Sequence, residues 1–200
     1  MFLVDAMTGL RRGELLALRW SDVDWLNREI LVGRAIIKTR ANDGAHKYDY
    51  VVGTTKSGKS RRVGLASIVI QSLRTLREMT DPVSDEDFIF TRSGTFIDPE
   101  YFSKWIALPL VKGAGIGRFH DIRHFFVSML IQQGESAKYI QDQVGHASIN
   151  TTFDIYGHLM PQAKQEATAK LEQSIFGEEK VTVRTLLEHL PEEAQAERLN

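Results

Sequence analysis

The chain has 200 residues, 42% of them apolar and 26% charged, which suits one domain with a real core. It contains no cysteine, which excludes disulfides, a thiol nucleophile and thiolate metal sites. The net charge of −1 gives no global basic field of the kind that holds nucleic acid, but the charge is uneven: residues 161–200 carry five Lys and Arg against eight Asp and Glu.

The lack of cysteine suits a cytoplasmic protein; no apolar run is long enough to span a membrane, and no basic-then-apolar signal segment stands at the start. FLVDAM, just ahead of Thr8-Gly9, reads as the end of an apolar helix. It lies so close to Met1 that the chain is expected to be a fragment whose N-terminal portion is missing. Thr8 suits the N-cap of a short helix carrying Leu10, Leu15, Leu16 and Leu18. Arg11 and Glu14 stand one turn apart, where a carboxylate orients a guanidinium; the same spacing also describes a solvated surface pair of little consequence.

After a polar turn at 21–28, three β-type segments are expected at 29–38, 48–55 and 61–66. They predict a small antiparallel sheet whose last hairpin presents Lys56 and Lys59 at its tip. Residues 53–60, GTTKSGKS, match the phosphate-loop pattern GxxxxGK[ST] literally. A working loop of that kind runs straight into a helix whose N-terminus faces the phosphates, and the β-rich RRVGLA after Ser60 supplies none.

Val69, Leu73 and Leu76 predict an amphipathic helix over 67–79, and FIFT (88–91) is a short apolar run. Asp98-Pro99 gives N-cap and N1 signals for a helix whose Phe102, Trp105 and Ile106 are expected in the core. RFHDIRHFFVSMLIQQG reads as a buried helix through Phe125, Val127, Met129, Leu130 and Ile131, with Gly134 at C′. Ser136 caps SAKYIQDQV, Gly145 ends it, and Ser148 caps INTTFDIY. Beyond Met160, AKQEATAKLEQSIF and VRTLLEHL are helical pieces of a tail. The expected fold class is α+β, mostly helical, with a small three-stranded antiparallel sheet at one edge.

Three constellations carry chemistry. His120 and Arg123 share one side of a helix near its N-terminus, where anions are favoured, and Arg is shaped to grip two phosphate oxygens. By spacing alone the pair reads first as a structural one and only second as a catalytic one. His120 and His124 have the i, i+4 spacing of a helical zinc site, but Asp121 stands where zinc peptidases carry their Glu base, and no third ligand is signalled. Tyr156 follows His146 by ten residues; its phenol, with a pKa of about 10, is a weak nucleophile unless cations surround it, and otherwise a packing residue.

TGLRRGELLALRW, TKSGKSRRVGL, FHDIRHFF and VGHASINTTFDIYGHLM occur in that order. Together they resemble the boxes of the tyrosine recombinase (phage integrase) catalytic domain, over residues 8–160. The resemblance implies catalytic roles for Arg11, Lys56 (with Lys59 a second claimant), His120, Arg123 and His146, with Glu14 as an acidic companion and Tyr156 as nucleophile. Gly64 stands where relatives often have Pro.

The implied activity is site-specific DNA strand cleavage and rejoining through a 3′-phosphotyrosine link, with no cofactor, metal or nucleotide. The implied partners are double-stranded DNA and other protomers of the same protein in a tetrameric synapse, with no membrane and no small-molecule substrate. On this reading 1–162 is the catalytic domain, 163–200 is a helical tail that packs either in cis or in trans, and an N-terminal DNA-clamping domain is absent from the chain. Lys38, Arg40, Lys47, Arg61, Arg62, Lys104 and Arg118 form a pool for DNA-backbone contacts. The alternatives are a type IB topoisomerase, which shares the chemistry, a DNA-binding module that never cuts, and a P-loop nucleotidase.

Overall fold

Helix α1 (Phe2–Thr8) stops at Gly9, whose φ of 59° and ψ of 31° place it in the left-handed region. A side chain there is excluded twice: by the backbone, and because a Cβ would lie 2.4 Å from Cδ1 of Phe126. Thr8 does not cap the following helix, as its sequence position suggested. It is the last residue of α1, and its hydroxyl donates back to the Val4 carbonyl at 2.6 Å. The N-cap of α2 (Arg12–Leu16) is Arg11, in extended conformation.

The computed structural model describes residues 1–41, 47–80, 83–146, 148–156 and 163–176. The chain divides into two compact units, Met1–His158 and Leu159–Asn200. Of the second, α9 (Ala163–Phe176) is described; VRTLLEHL, expected as helix, lies outside the described residues. No described helix is long and apolar enough to cross a membrane.

The sheet differs from expectation in membership. The 29–38 segment breaks at Gly33 into β2 (Glu29–Val32) and β3 (Arg34–Arg40). β2 pairs antiparallel with β1 (Val23–Asp24) on one side and β5 (Arg61–Gly64) on the other, giving a three-stranded sheet in the order β1-β2-β5. β3 pairs instead with β4 (Tyr48–Thr54), in register from Arg34 opposite Thr54 to Arg40 opposite Tyr48. Lys56 and Lys59 therefore sit on a connection from one sheet to the other and not on a hairpin tip. Ser60 leads into strand β5, so no helix follows the GTTKSGKS stretch.

Helix α3 (Ser67–Met79) buries Val69 and Leu73 as its periodicity predicts, and Ile70 beside them, while Leu76 is only partly buried. The short hairpin β6 (Thr91–Arg92) and β7 (Thr95–Phe96) comes next. Asp98 caps α4 (Pro99–Tyr101) by accepting from the Glu100 and Tyr101 amides at 2.9 and 2.7 Å. Residues Phe102–Ala107 form a π-helical turn before α5 (Leu108–Gly113). Phe102 is fully buried, but Trp105, expected in the core from its apolarity, is 61% exposed.

α6 (Asp121–Gln132) is also less buried than its composition suggests: Ile122, Arg123 and Val127 face inward, while Phe125 is 58% exposed. It packs on α7 (Ala137–Val144), capped by Ser136 and ended by a left-handed Gly145, and α8 (Ile149–Tyr156) closes the unit.

Two apolar clusters result. The larger joins α1, α2, the three-stranded sheet, α3 and the π-turn around Leu15, Leu16, Trp20, Ile30, Val63 and Phe102. The smaller joins α6 and α7 through Val127, Ile140 and Val144. Each such buried side chain contributes about 1.5–3 kcal/mol. Residues 9–14 belong to the first cluster's elements, and 120–123 and 143–146 to the second's.

Candidate active site

The end of α7 exposes the carbonyls that every helix C-terminus leaves without an intrahelical partner, at the negative end of its dipole. Three arginines from three distant segments bind them. Arg61 Nε donates to Gln143 O at 2.8 Å, Arg123 Nη2 to Val144 O at 2.7 Å, and Arg11 Nη2 to Gly145 O at 3.0 Å. Arg11 Nη1 also reaches Val144 O at 3.4 Å, and Arg123 Nη1 donates to the Gly9 carbonyl. The left-handed turn at Gly9 that ends α1 thus also aims an acceptor at Arg123.

Glu14 is the counter-charge. Its side chain is 1% exposed, so the surface-pair reading of Arg11 and Glu14 is overturned: a buried carboxylate requires partners. Oε1 accepts from Arg11 Nη1 (3.1 Å) and Arg61 Nη1 (3.2 Å); Oε2 accepts from the Arg11 amide (3.0 Å) and Arg61 Nη2 (2.8 Å). Burial pushes this carboxyl up, but the bonds and charges of Arg61 and Arg11 outweigh it and hold it below its ordinary range. Asp5, also 1% exposed, is the other carboxylate here. Among the described residues neither of its oxygens has a hydrogen-bond partner, and burial raises it to about 7 against the pull of Arg123.

The imidazoles sit against these cations. His120 is the N-cap of α6, and its ring meets that of His124 edge-on, with centroids 5.1 Å apart. Burial lowers the His120 pKa, helped by the charges of His124, Arg123 and Arg11. His146 follows the carbonyl cluster directly; burial, then Arg123, Arg11, Arg61 and His124, hold it down to about 4. Both rings are neutral at pH 7 and able to accept a proton or a hydrogen bond. Among the described residues no group of three His, Cys, Asp or Glu side chains is placed to hold a metal ion.

Arg11, Arg123, His120 and His146 are thus brought together, with Glu14 behind them. Lys56 is not: it is exposed on a turn in which the Gly58 amide donates to Thr55 O at 2.9 Å. Lys59 instead lines a cleft of about 250 Å3 with Ser57, Arg61, Gln141, Gly145 and His146. A second cleft of about 550 Å3 is lined by Arg11, Arg12, Arg118 and His120 among others. Tyr156 is the last residue of α8; its side chain lies outside the described residues, as does His158.

The pool of backbone cations divides. Arg61 is no surface cation, with a side chain 10% exposed. Lys38 pairs with Glu100 at 3.0 Å, and Arg62 with Asp24 and Glu29 at 3.5 and 3.4 Å. Sequence reasoning missed the part played by Arg61 and Asp5. A signal for Arg61 was present: it alternates with the buried Val63 and Leu65 along an edge strand, on their inward face.

Residues 1–163 match the phage integrase family. The chain is 34% identical over 182 residues to the ICEBs1 integrase of Bacillus subtilis (strain 168), covering 86% of this chain and 47% of that protein. It is 30% identical over 187 residues to a XerC-like tyrosine recombinase of Caldanaerobacter subterraneus subsp. tengcongensis, covering 86% and 48%. The chain spans about half the length of the curated relatives it matches. Among solved structures, the Tn1549 transposon integrase in complex with transposon right end DNA shares the fold, with a TM-score of 0.70 at 22% identity over 85% of this chain and 57% of that one. The XerA recombinase gives 0.57 at 29% identity over 84% and 55%. With the family match extending from Met1 through every box of the site, the chain belongs to the phage integrase family.

Proposed function

We propose that this chain is the catalytic part of a site-specific DNA recombinase, which cuts and rejoins a strand of duplex DNA through a 3′-phosphotyrosine link at Tyr156. The observation that carries this reading is the pairing of Arg11 and Arg123 on one carbonyl, beside two imidazoles held neutral. Three guanidiniums face one fully paired carboxylate and Asp5, so the pocket carries excess positive charge, matched to a phosphodiester.

Attack by the Tyr156 oxygen on phosphorus forms one P–O bond as the bond to the 5′ oxygen breaks. The pentacoordinate transition state carries an extra negative charge, which Arg11 and Arg123 take up on its non-bridging oxygens. Neutral His120 receives or holds the phenolic proton, His146 hydrogen-bonds a phosphate oxygen, and Lys56 protonates the departing 5′ oxygen. The link conserves the energy of the broken bond, so a 5′ hydroxyl from another strand reverses the step. No part of this scheme consumes a nucleotide. The placement of Lys59 in the cleft beside His146 supports a second reading of the acid, with Lys59 in place of Lys56.

On this reading residues 1–162 are the catalytic domain, residues 163–200 are a tail that packs in cis or in trans, and the assembly on DNA is a tetramer. The Tn1549 integrase structure contains DNA, and that likeness supports duplex DNA as the partner.

The test is a pool of nicked duplexes of randomised sequence, in which the fragment released on cleavage diffuses away. The expected result is a protein–DNA adduct that survives denaturation, and a thiol in place of the leaving 5′ oxygen, which needs no proton, restores adduct formation to whichever of Lys56→Ala and Lys59→Ala has lost the acid. DNA binding with no adduct would overturn the reading.

A further inference from the structure

Arg61 opens strand β5 opposite Val32, directly after the segment that carries Lys56 and Lys59. Its side chain runs inward, and all three of its nitrogens are engaged. Two grip the two oxygens of Glu14 side by side, the geometry in which Arg and a carboxylate bind most strongly, and Nε holds the Gln143 carbonyl. Gly145 lies against the guanidinium so closely that a Cβ there would be 2.8 Å from Nη1 and 2.9 Å from Cζ. The residue after Gly145 is His146.

We propose that Arg61 is a positioning residue of this site: its guanidinium fastens the strand after the lysine segment to Glu14, and so to Arg11, and to the turn that presents His146. The lysine segment, the arginine clamp and the imidazole then hold one geometry. The consequence for catalysis rests on the strand-transfer reading; the geometry itself does not. A lysine cannot replace Arg61, because one ammonium reaches neither both Glu14 oxygens nor a carbonyl in a third direction. Among the described residues, the groups facing His146 include Arg61 and Lys59 from the strand and its connection, Arg11 at the N-cap of α2 with its partner Glu14, Arg123 and His124 from α6, and Lys138 and Asp142 from α7. Taking the Arg61 charge out of that set, and loosening the turn, moves the His146 titration toward that of an ordinary imidazole.

The experiment follows the His146 ring by NMR through a pH titration in the whole chain, wild type against Arg61→Gln and Arg61→Lys, with adduct formation on the nicked pool measured alongside. The expected result is a His146 midpoint raised in both variants, more in Arg61→Gln, and adduct formation slowed about 10- to 100-fold with DNA affinity nearly unchanged. In the wild type the Arg61 Nε proton is expected to exchange slowly with water, a reading that holds even where Arg61→Gln fails to fold. A His146 titration unmoved in a folded variant, or an Nε proton exchanging as fast as that of an exposed arginine, would overturn the proposal. If no protein forms the adduct, strand transfer fails as a reading, while the titration and the exchange rate still decide the role of Arg61.

Discussion

Arg11 and Arg123, one from the N-cap of α2 and the other from α6, donate to the same carbonyl oxygen, that of Val144, at 3.4 and 2.7 Å. Two like charges held on one acceptor repel each other, and an anion between them relieves that repulsion. On the strand-transfer reading, the end of α7 preorganises a clamp for the phosphodiester.

Arg11 is the more solvent-accessible arm, with a side chain 28% exposed, and Arg61 still pairs both Glu14 oxygens without it, so Arg11→Ala is expected to fold. Arg11→Ala is expected to slow adduct formation by about 10²–10³-fold, the cost of losing one preorganised donor to a transition-state oxygen. Single-turnover kinetics at saturating DNA measure this, with circular dichroism confirming the fold.

Glu14 lies beneath the clamp. Glu14→Gln leaves Arg61 and Arg11 without their counter-charge in a buried setting, and the expected loss of stability is about 3–5 kcal/mol. Urea unfolding with an unchanged m value is the measurement.

Asp5 gives an unusual pH dependence. Its carboxyl stands at about 7 in the fold against 3.8 ordinarily, so its stabilising contribution is fully present below about 3.8 and lost as pH rises through about 7. The difference corresponds to on the order of 4 kcal/mol. Asp5→Asn is expected to gain stability relative to wild type on going from pH 5 to pH 8, read from unfolding curves at each pH.

His120 and His146 act in the opposite sense. Both are lowered in the fold, so each contributes stability above its ordinary 6.5 that is lost as pH falls, for His146 down to about 4. With Asp5→Asn in place, stability falls steadily from pH 6.5 to 4. Adduct formation, which on the strand-transfer reading needs a neutral His120, is expected to stay level from pH 8 to below 6.5 and then decline. A pH–rate profile breaking at or above 6.5 would contradict the lowered values.

The boxes that carry the site were legible because each is short and local: Arg11 with Glu14, His120 with Arg123, and Gly145-His146 are pairs within one turn of chain. Cap signals at Asp98, Ser136 and Gly145 were legible for the same reason. What escaped depends on pairing between distant segments. Gly33 splits one β run into two strands in two sheets, and only the partners of those strands reveal it. Thr8 has the chemistry of an N-cap, yet the left-handed Gly9 after it makes it a helix end. Phe125 and Trp105 are apolar but exposed, because α6 and the π-turn each bury only a narrow face. Arg61 resembled its neighbour Arg62 in sequence; the inward side of an edge strand separates them.

The account stands most directly on the atom that becomes linked to DNA. Digestion of the denatured adduct and mass spectrometry of the nucleotide-bearing peptide is predicted to place the 3′-phosphate on Tyr156, with no adduct from Tyr156→Phe. A phosphate on another residue, or an undiminished adduct in Tyr156→Phe, would contradict it.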